Sequence, residues 1–212
     1  MKKHRPWALV ALAALVALVI AAVAAAAPAG TKKQPTVASL KKQVAALKAQ
    51  NQKLTAQYTP KGIANQLAKA KAALSKYQDV NVAKADGYQV GSPCVMEPAD
   101  PNASSYGGAM GVHFINQGLL KPGPLNPEKP AILLYEPTAG GGFQLMGAEY
   151  FQGDADQNVA TDPDRPSLFG RAFDGPMKGH SPGMPIHYDL HVWLFQHNPS
   201  GMFAPFNPDA HC

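Results

Sequence analysis

The apolar residues of this chain change period at Asp86-Gly87. Over residues 36–85 they recur every three to four positions, and after Tyr88 they alternate or gather in short runs divided by Pro and Gly. A 3.6-residue period belongs to helix and a two-residue period to strand. Helical patterns followed by strand patterns, without interleaving, predict an α+β chain with a mainly antiparallel β domain. We expect a small barrel or sandwich carrying an N-terminal helical stalk, divided as 1–30, 31–60, 61–87 and 88–212.

Within the helical part, Val37, Leu40, Val44, Leu47, Asn51 and Leu54 alternate steps of three and four. That spacing is an a/d heptad seam with Asn51 at an a position, a residue that fixes register at a cost in stability. A short coiled coil, and self-association through it, is the expectation. The competing reading is a lone amphipathic helix. Thr59-Pro60-Lys61-Gly62 is expected to break the helix. A second stripe, Ile63, Leu67, Ala70, Leu74 and Tyr77, runs two positions out of phase with the first and is expected to pack on the β domain. Asp86-Gly87 supplies the stop.

Charge divides along the same boundary. Residues 1–30 carry three Lys/Arg; residues 31–84 carry eleven Lys against Asp79; residues 85–212 carry five Lys/Arg against thirteen Asp/Glu. These give +3, +10 and −8, which sum to the net +5. The basic stretch suits an anionic lipid or another acidic envelope polymer. It has few aromatics and no recognisable binding module, which argues against nucleic acid.

Lys2, Lys3, His4 and Arg5 precede an uncharged run from Trp7 to Ala27, and Ala27-Pro28-Ala29 is an acceptable cleavage site. The first thirty residues are expected to be an export signal or, uncleaved, a membrane anchor. The remainder is then outside the cytoplasm. Two cysteines, Cys94 and Cys212, agree with that compartment and are expected to pair.

Expected strands lie at 110–116, 131–136, 143–151, 167–173 and 185–196, with 137–142 as a hairpin loop. The last is the richest in chemistry. Read as a strand, Tyr188, Leu190, Val192 and Leu194 share a core face, while His187, Asp189, His191, Trp193, Phe195 and His197 share the other. His187 and His191 are then about 13 Å apart and cannot hold one ion; in a helix they would stand one turn apart and could. Asp189 and His191, about 7 Å apart, are close enough to cooperate. His113 is the natural third member. Glu136 and Glu149 sit among apolar residues, where a carboxylate needs a partner. His113, Glu149, Asp189 and His191 are therefore the candidate set for a divalent metal such as zinc, copper or iron, or for a polar ligand. The plainer reading makes each a buried side chain satisfied by one hydrogen bond.

Other motifs fail on chemistry. Gly179-His180-Ser181-Pro182-Gly183 matches G-x-S-x-G, but Pro182 has no N–H to donate to an oxyanion. The run from Asp154 to Asn158 opens like a calcium loop, yet Val159 and Arg165 replace the required Gly and Glu. Gly140 to Phe143 lacks the lysine of a phosphate loop.

The strings MGVHF (110–114), LLYEP (133–137), YDLHVWLFQHNPSGMFAPFNP (188–208) and Cys212 together resemble an uncharacterised family of exported bacterial proteins. The resemblance covers roughly residues 72–212. It implies export and a shared fold, and it transfers no activity. The leading expectation is a membrane-proximal extracytoplasmic binding domain for a metal ion or small polar molecule. The alternatives are a metal-dependent enzyme, with Glu149 or Glu136 as general base, and a structural envelope protein.

Overall fold

The structure, a computed structural model, describes residues 35–97, 108–121 and 123–212. The expected export signal or anchor, residues 1–30, lies outside the described residues. Among those described, no helix is long and apolar enough to cross a membrane.

Helix α1 (Val37–Gln57) starts at Thr36, whose hydroxyl accepts from Ser39 N. Val37, Leu40, Val44 and Leu47, four members of the heptad seam, are all exposed. Helix α2 (Pro60–Leu74) begins where a break was expected, and the same residues explain both. Thr59 accepts from Gly62 N at 3.0 Å, and Pro60 takes the first helical position, where a missing N–H costs nothing. The second stripe runs beyond α2 through a 3₁₀ turn (Ser75–Gln78), and a further short helix, α3 (Val80–Ala85), follows. Asp79 caps α3 by accepting from Asn81 N, which divides the single expected helix in two. Gly87, at φ +93°, turns the chain into the sheet.

Strands β1 (Gln89–Met96), β2 (Ala109–Ile115), β3 (Ile132–Pro137), β4 (Phe143–Gly153), β7 (Asp174–Met177) and β8 (His187–Val192) form one antiparallel sheet in the order β1-β2-β3-β4-β8-β7. A separate hairpin pairs β5 (Ser167–Leu168) with β6 (Arg171–Ala172). The fold is α+β with a mainly β domain, and the main sheet curls into a half-barrel open at β1 and β7. Two strands that the sequence pattern did not reveal are those two edges. Each contains a proline, Pro93 and Pro176, which an edge strand tolerates and a central one does not. The expected strand over 167–173 became the small hairpin. The expected strand over 185–196 pairs only from His187 to Val192; beyond it, Phe195 N and Gln196 N both donate to Met146 O.

One face of the sheet meets the helices. Phe114, Leu133, Tyr135, Ala148, Tyr150, Tyr188, Leu190 and Val192 form a core with Ala70, Leu74 and Tyr77, and Ile63 and Leu67 pack against it. Buried tyrosines reach backbone acceptors: Tyr135 donates to Tyr77 O at 2.6 Å and Tyr88 to Pro130 O at 2.8 Å. The C-terminal segment closes the far end of the sheet. Asn207 pairs with Ala109, and Cys94 is disulfide-bonded to Cys212, 118 positions away. Such a bond is consistent with an oxidising, extracytoplasmic location.

Candidate metal centre

The second face of the sheet holds the ionisable residues. Glu149 on β4 pairs directly with His191 on β8. His113 lies on β2, separated from β4 by β3, so its backbone is two strand spacings, about 10 Å, from that of Glu149. The curl of the sheet and the length of the two side chains bring them together over Leu134 and Ile132. One ligating atom from each of His113, Glu149 and His191 lies within 4.8 Å of the other two. His113, Glu149 and His191 are 9%, 4% and 2% exposed, so water cannot solvate them freely.

Hydrogen bonds fix how these groups present themselves. Ser92 donates its own proton to Pro93 O at 2.7 Å, so its oxygen can only accept from the His113 ring. His113 Nδ1, 3.0 Å away, therefore donates, and in the neutral tautomer this leaves Nε2 with a lone pair toward Glu149. His113 Nε2 is 3.3 Å, and His191 Nε2 3.9 Å, from Glu149 Oε2. Glu149 Oε2 and both ring nitrogens of His191 are buried without a hydrogen-bond partner among the described residues. Burial of unpaired polar atoms costs about 1–3 kcal/mol each. A lone pair facing a carboxylate oxygen needs a positive charge between them.

Electrostatics agree with that demand. Burial holds the His191 imidazole below its ordinary range, against the pull of Glu149, so it is a neutral ligand. Burial pushes the Glu149 carboxyl up, but the imidazoles of His113, His191 and His187 around it outweigh burial and hold it below the ordinary carboxylate range. Asp189 differs. Burial, then the charges of Glu149 and Asp174, push it up to about 8.

The structure thus brings three of the four anticipated residues into one cluster and sets Asp189 beside it. Asp189 Oδ1 is 3.7 Å from His191 Nδ1 and Oδ2 is 3.8 Å from His187 Nε2. Glu136 stands apart at the end of β3, where its carboxylate accepts from His211 N at 2.7 Å. His197 is exposed beyond the strand and does not share this face. Trp193 joins a satellite cluster with Ala109, Met146 and Ala210. Sequence reasoning missed Ser92, which orients His113, because its strand was not recognised. His187 ranks among the most buried side chains, stacked on Phe151 at 4.8 Å.

The remaining motifs sit as chemistry required. Ser181 lies in a turn, with its hydroxyl 3.9 Å from Met184 Sδ. In the acidic loop, Asp154 and Asp156 both accept from Asn158 N, and Asp164 accepts from Ala155 N, so these carboxylates order backbone. No known protein family, curated protein or solved structure matches the chain.

Proposed function

We propose that the chain is an extracytoplasmic metal-binding domain whose ion is held by His113 Nε2, Glu149 and His191 Nε2. The observation that carries this reading is the convergence of His113 Nε2 on a buried Glu149 Oε2, with both nitrogens of His191 unpaired beside them. A proton would satisfy one of these contacts; a divalent cation satisfies all three. Ligands about 2.1 Å from a tetrahedral ion are about 3.4 Å apart, close to the 3.3 and 3.9 Å edges to Glu149, while the edge between the two histidines, within 4.8 Å, closes as the ion draws the rings in. Two imidazoles and one carboxylate suit zinc, copper or iron. Asp189 acts behind His191, orienting its ring through Nδ1 once the ion has drawn the ring into place.

The burial of all three ligands favours a held ion over a substrate turned over at an open face. A hydrolytic reading with Glu136 as base loses that residue to His211 N. The Cys94–Cys212 disulfide supports a secreted or anchored domain. The exposed seam of α1 supports self-association with a second copy, and the lysines of α1 suit an anionic lipid or envelope polymer.

The test is the metal content of protein recovered from the oxidising compartment, counted by elemental analysis. One zinc, copper or iron per chain is expected, lost in His191→Ala and His113→Ala while the melting temperature in chelator changes little. Wild-type protein that is metal-free, and whose melting point ignores chelator and added zinc, copper and iron, overturns the reading.

A further inference from the structure

His113 owes its orientation to an irregularity in β1. Between the pairs Val90–Phe114 and Cys94–Val112, the residues Gly91, Ser92 and Pro93 stand against His113 alone. This bulge folds Ser92 onto the histidine, so that its oxygen accepts from His113 N at 3.1 Å and from Nδ1 at 3.0 Å. Its neighbours permit the bulge. A side chain at Gly91 would collide with Ile115 Cδ1, and Pro93 has no N–H to leave unpaired. β1 is also an edge strand, paired on one side only, so no further strand holds the bulge in place.

The C-terminus supplies that hold. Cys94 immediately follows Pro93 and is bonded to Cys212, while His211 N donates to Glu136 on β3 at 2.7 Å. The last two residues therefore strap β1 to β3 across β2. The strap lies at the pairs Cys94–Val112 and Val112–Tyr135, one position along β2 from His113. Cys94 itself packs against the core, so the strap anchors β1 from within as well as from its end.

We infer, on the basis of the His113/Glu149/His191 site proposed above, that the Cys94–Cys212 bond controls metal affinity by holding β1 where Ser92 orients His113. With the bond closed, Ser92 engages Nδ1 and leaves Nε2 as the ligand atom. With both thiols free, β1 frays from the open edge of the sheet, Ser92 leaves His113, and the ring loses its fixed orientation. A partner that orients a ligating histidine is worth about 10–100-fold in metal affinity. Closing the bond takes two electrons and two protons from the thiols; an exchanging disulfide accepts them and leaves as a dithiol. The reduced chain thus holds the ion weakly and the oxidised chain tightly, which defers loading until the chain has met an oxidant.

Zinc affinity of the intact chain, measured by competition with a chromophoric chelator, tests the link. Disulfide-bonded wild type should bind one zinc, and Ser92→Ala with the bond intact should bind it about tenfold or more weakly. Cys94→Ser with Cys212→Ser, which also removes the thiols as competing ligands, should lose affinity to a similar extent. Adding Ser92→Ala to that pair should cost nothing more. This non-additivity separates a link through Ser92 from a general loss of stability, in which the two effects would multiply. Glu136→Ala frees the strap from β3 and keeps the bond; it should also weaken zinc, and it decides the matter if the cysteine variant does not fold. Unchanged affinity in Ser92→Ala or Glu136→Ala, a cysteine variant as tight as wild type, or multiplied losses in the triple variant overturns the inference and leaves the proposed function standing. Wild type that binds no zinc overturns both.

Discussion

His191→Leu should make the metal-free protein more stable, not less. In the native fold His191 buries two ring nitrogens without hydrogen-bond partners among the described residues. At about 1–3 kcal/mol each, they cost about 2–6 kcal/mol relative to a side chain with nothing to satisfy. Leucine is of similar bulk and fits a face already lined by Leu134 and Ile132, so repacking should return no more than about 1.5 kcal/mol of that. It leaves Glu149 facing His113 with one fewer imidazole neighbour, which takes back a further part. The balance is a gain of about 1–3 kcal/mol in chelator. With zinc at about a thousand times its dissociation constant the sign should reverse, because wild type gains about 4.1 kcal/mol by mass action and the variant gains little. Urea unfolding with and without chelator measures both. If His191→Leu loses more than about 1 kcal/mol in chelator, His191 is a satisfied structural residue and the argument from unpaired nitrogens fails.

Replacing Cys94 and Cys212 together by Ser should cost about 5 kcal/mol, because the bond restricts the unfolded chain over a separation of 118 residues; equal denaturation midpoints of the two proteins would contradict this. Leu40→Glu with Leu47→Glu in the full chain should convert a self-associated protein to a monomer in sedimentation, and Asn51→Ile should stabilise the assembly while loosening its stoichiometry. A wild type already monomeric would exclude the seam as an interface. In the metal-free protein, His187 and His191 are both depressed by burial below the unfolded value of about 6.5, so their contribution is present above that pH and lost as pH falls below it. Asp189 works in the opposite sense: raised to about 8, it contributes fully below its unfolded value of 3.8 and that contribution is lost as pH rises through about 8. Melting curves in chelator should therefore show Asp189→Asn gaining on wild type between pH 4 and 8. A difference constant over that range would mean that Asp189 is ionised throughout.

The sequence by itself determined the order of helix and sheet, because period is local and each residue reports its own face. It identified the core face of β8, since Tyr188, Leu190 and Val192 alternate without interruption. It pointed to the Cys94–Cys212 pair because an oxidising compartment leaves two cysteines little else to do. Distance along one strand was also enough to separate His187 from the ion that His191 would hold. The edges were not legible: β1 and β7 carry Pro93 and Pro176 and are partly solvated, so no alternation marks them. With β1 went Ser92 and the tautomer of His113. Only the tertiary structure decided that the histidine-bearing face is buried as deeply as the apolar one. Burial depends on the curl of six strands, a property of no single segment, and it turns three unremarkable polar residues into groups that water cannot satisfy. It also chose among the carboxylates. Glu136 and Glu149 look alike in sequence, but the register of β3 and β4 sends one to His211 and sets the other opposite His191.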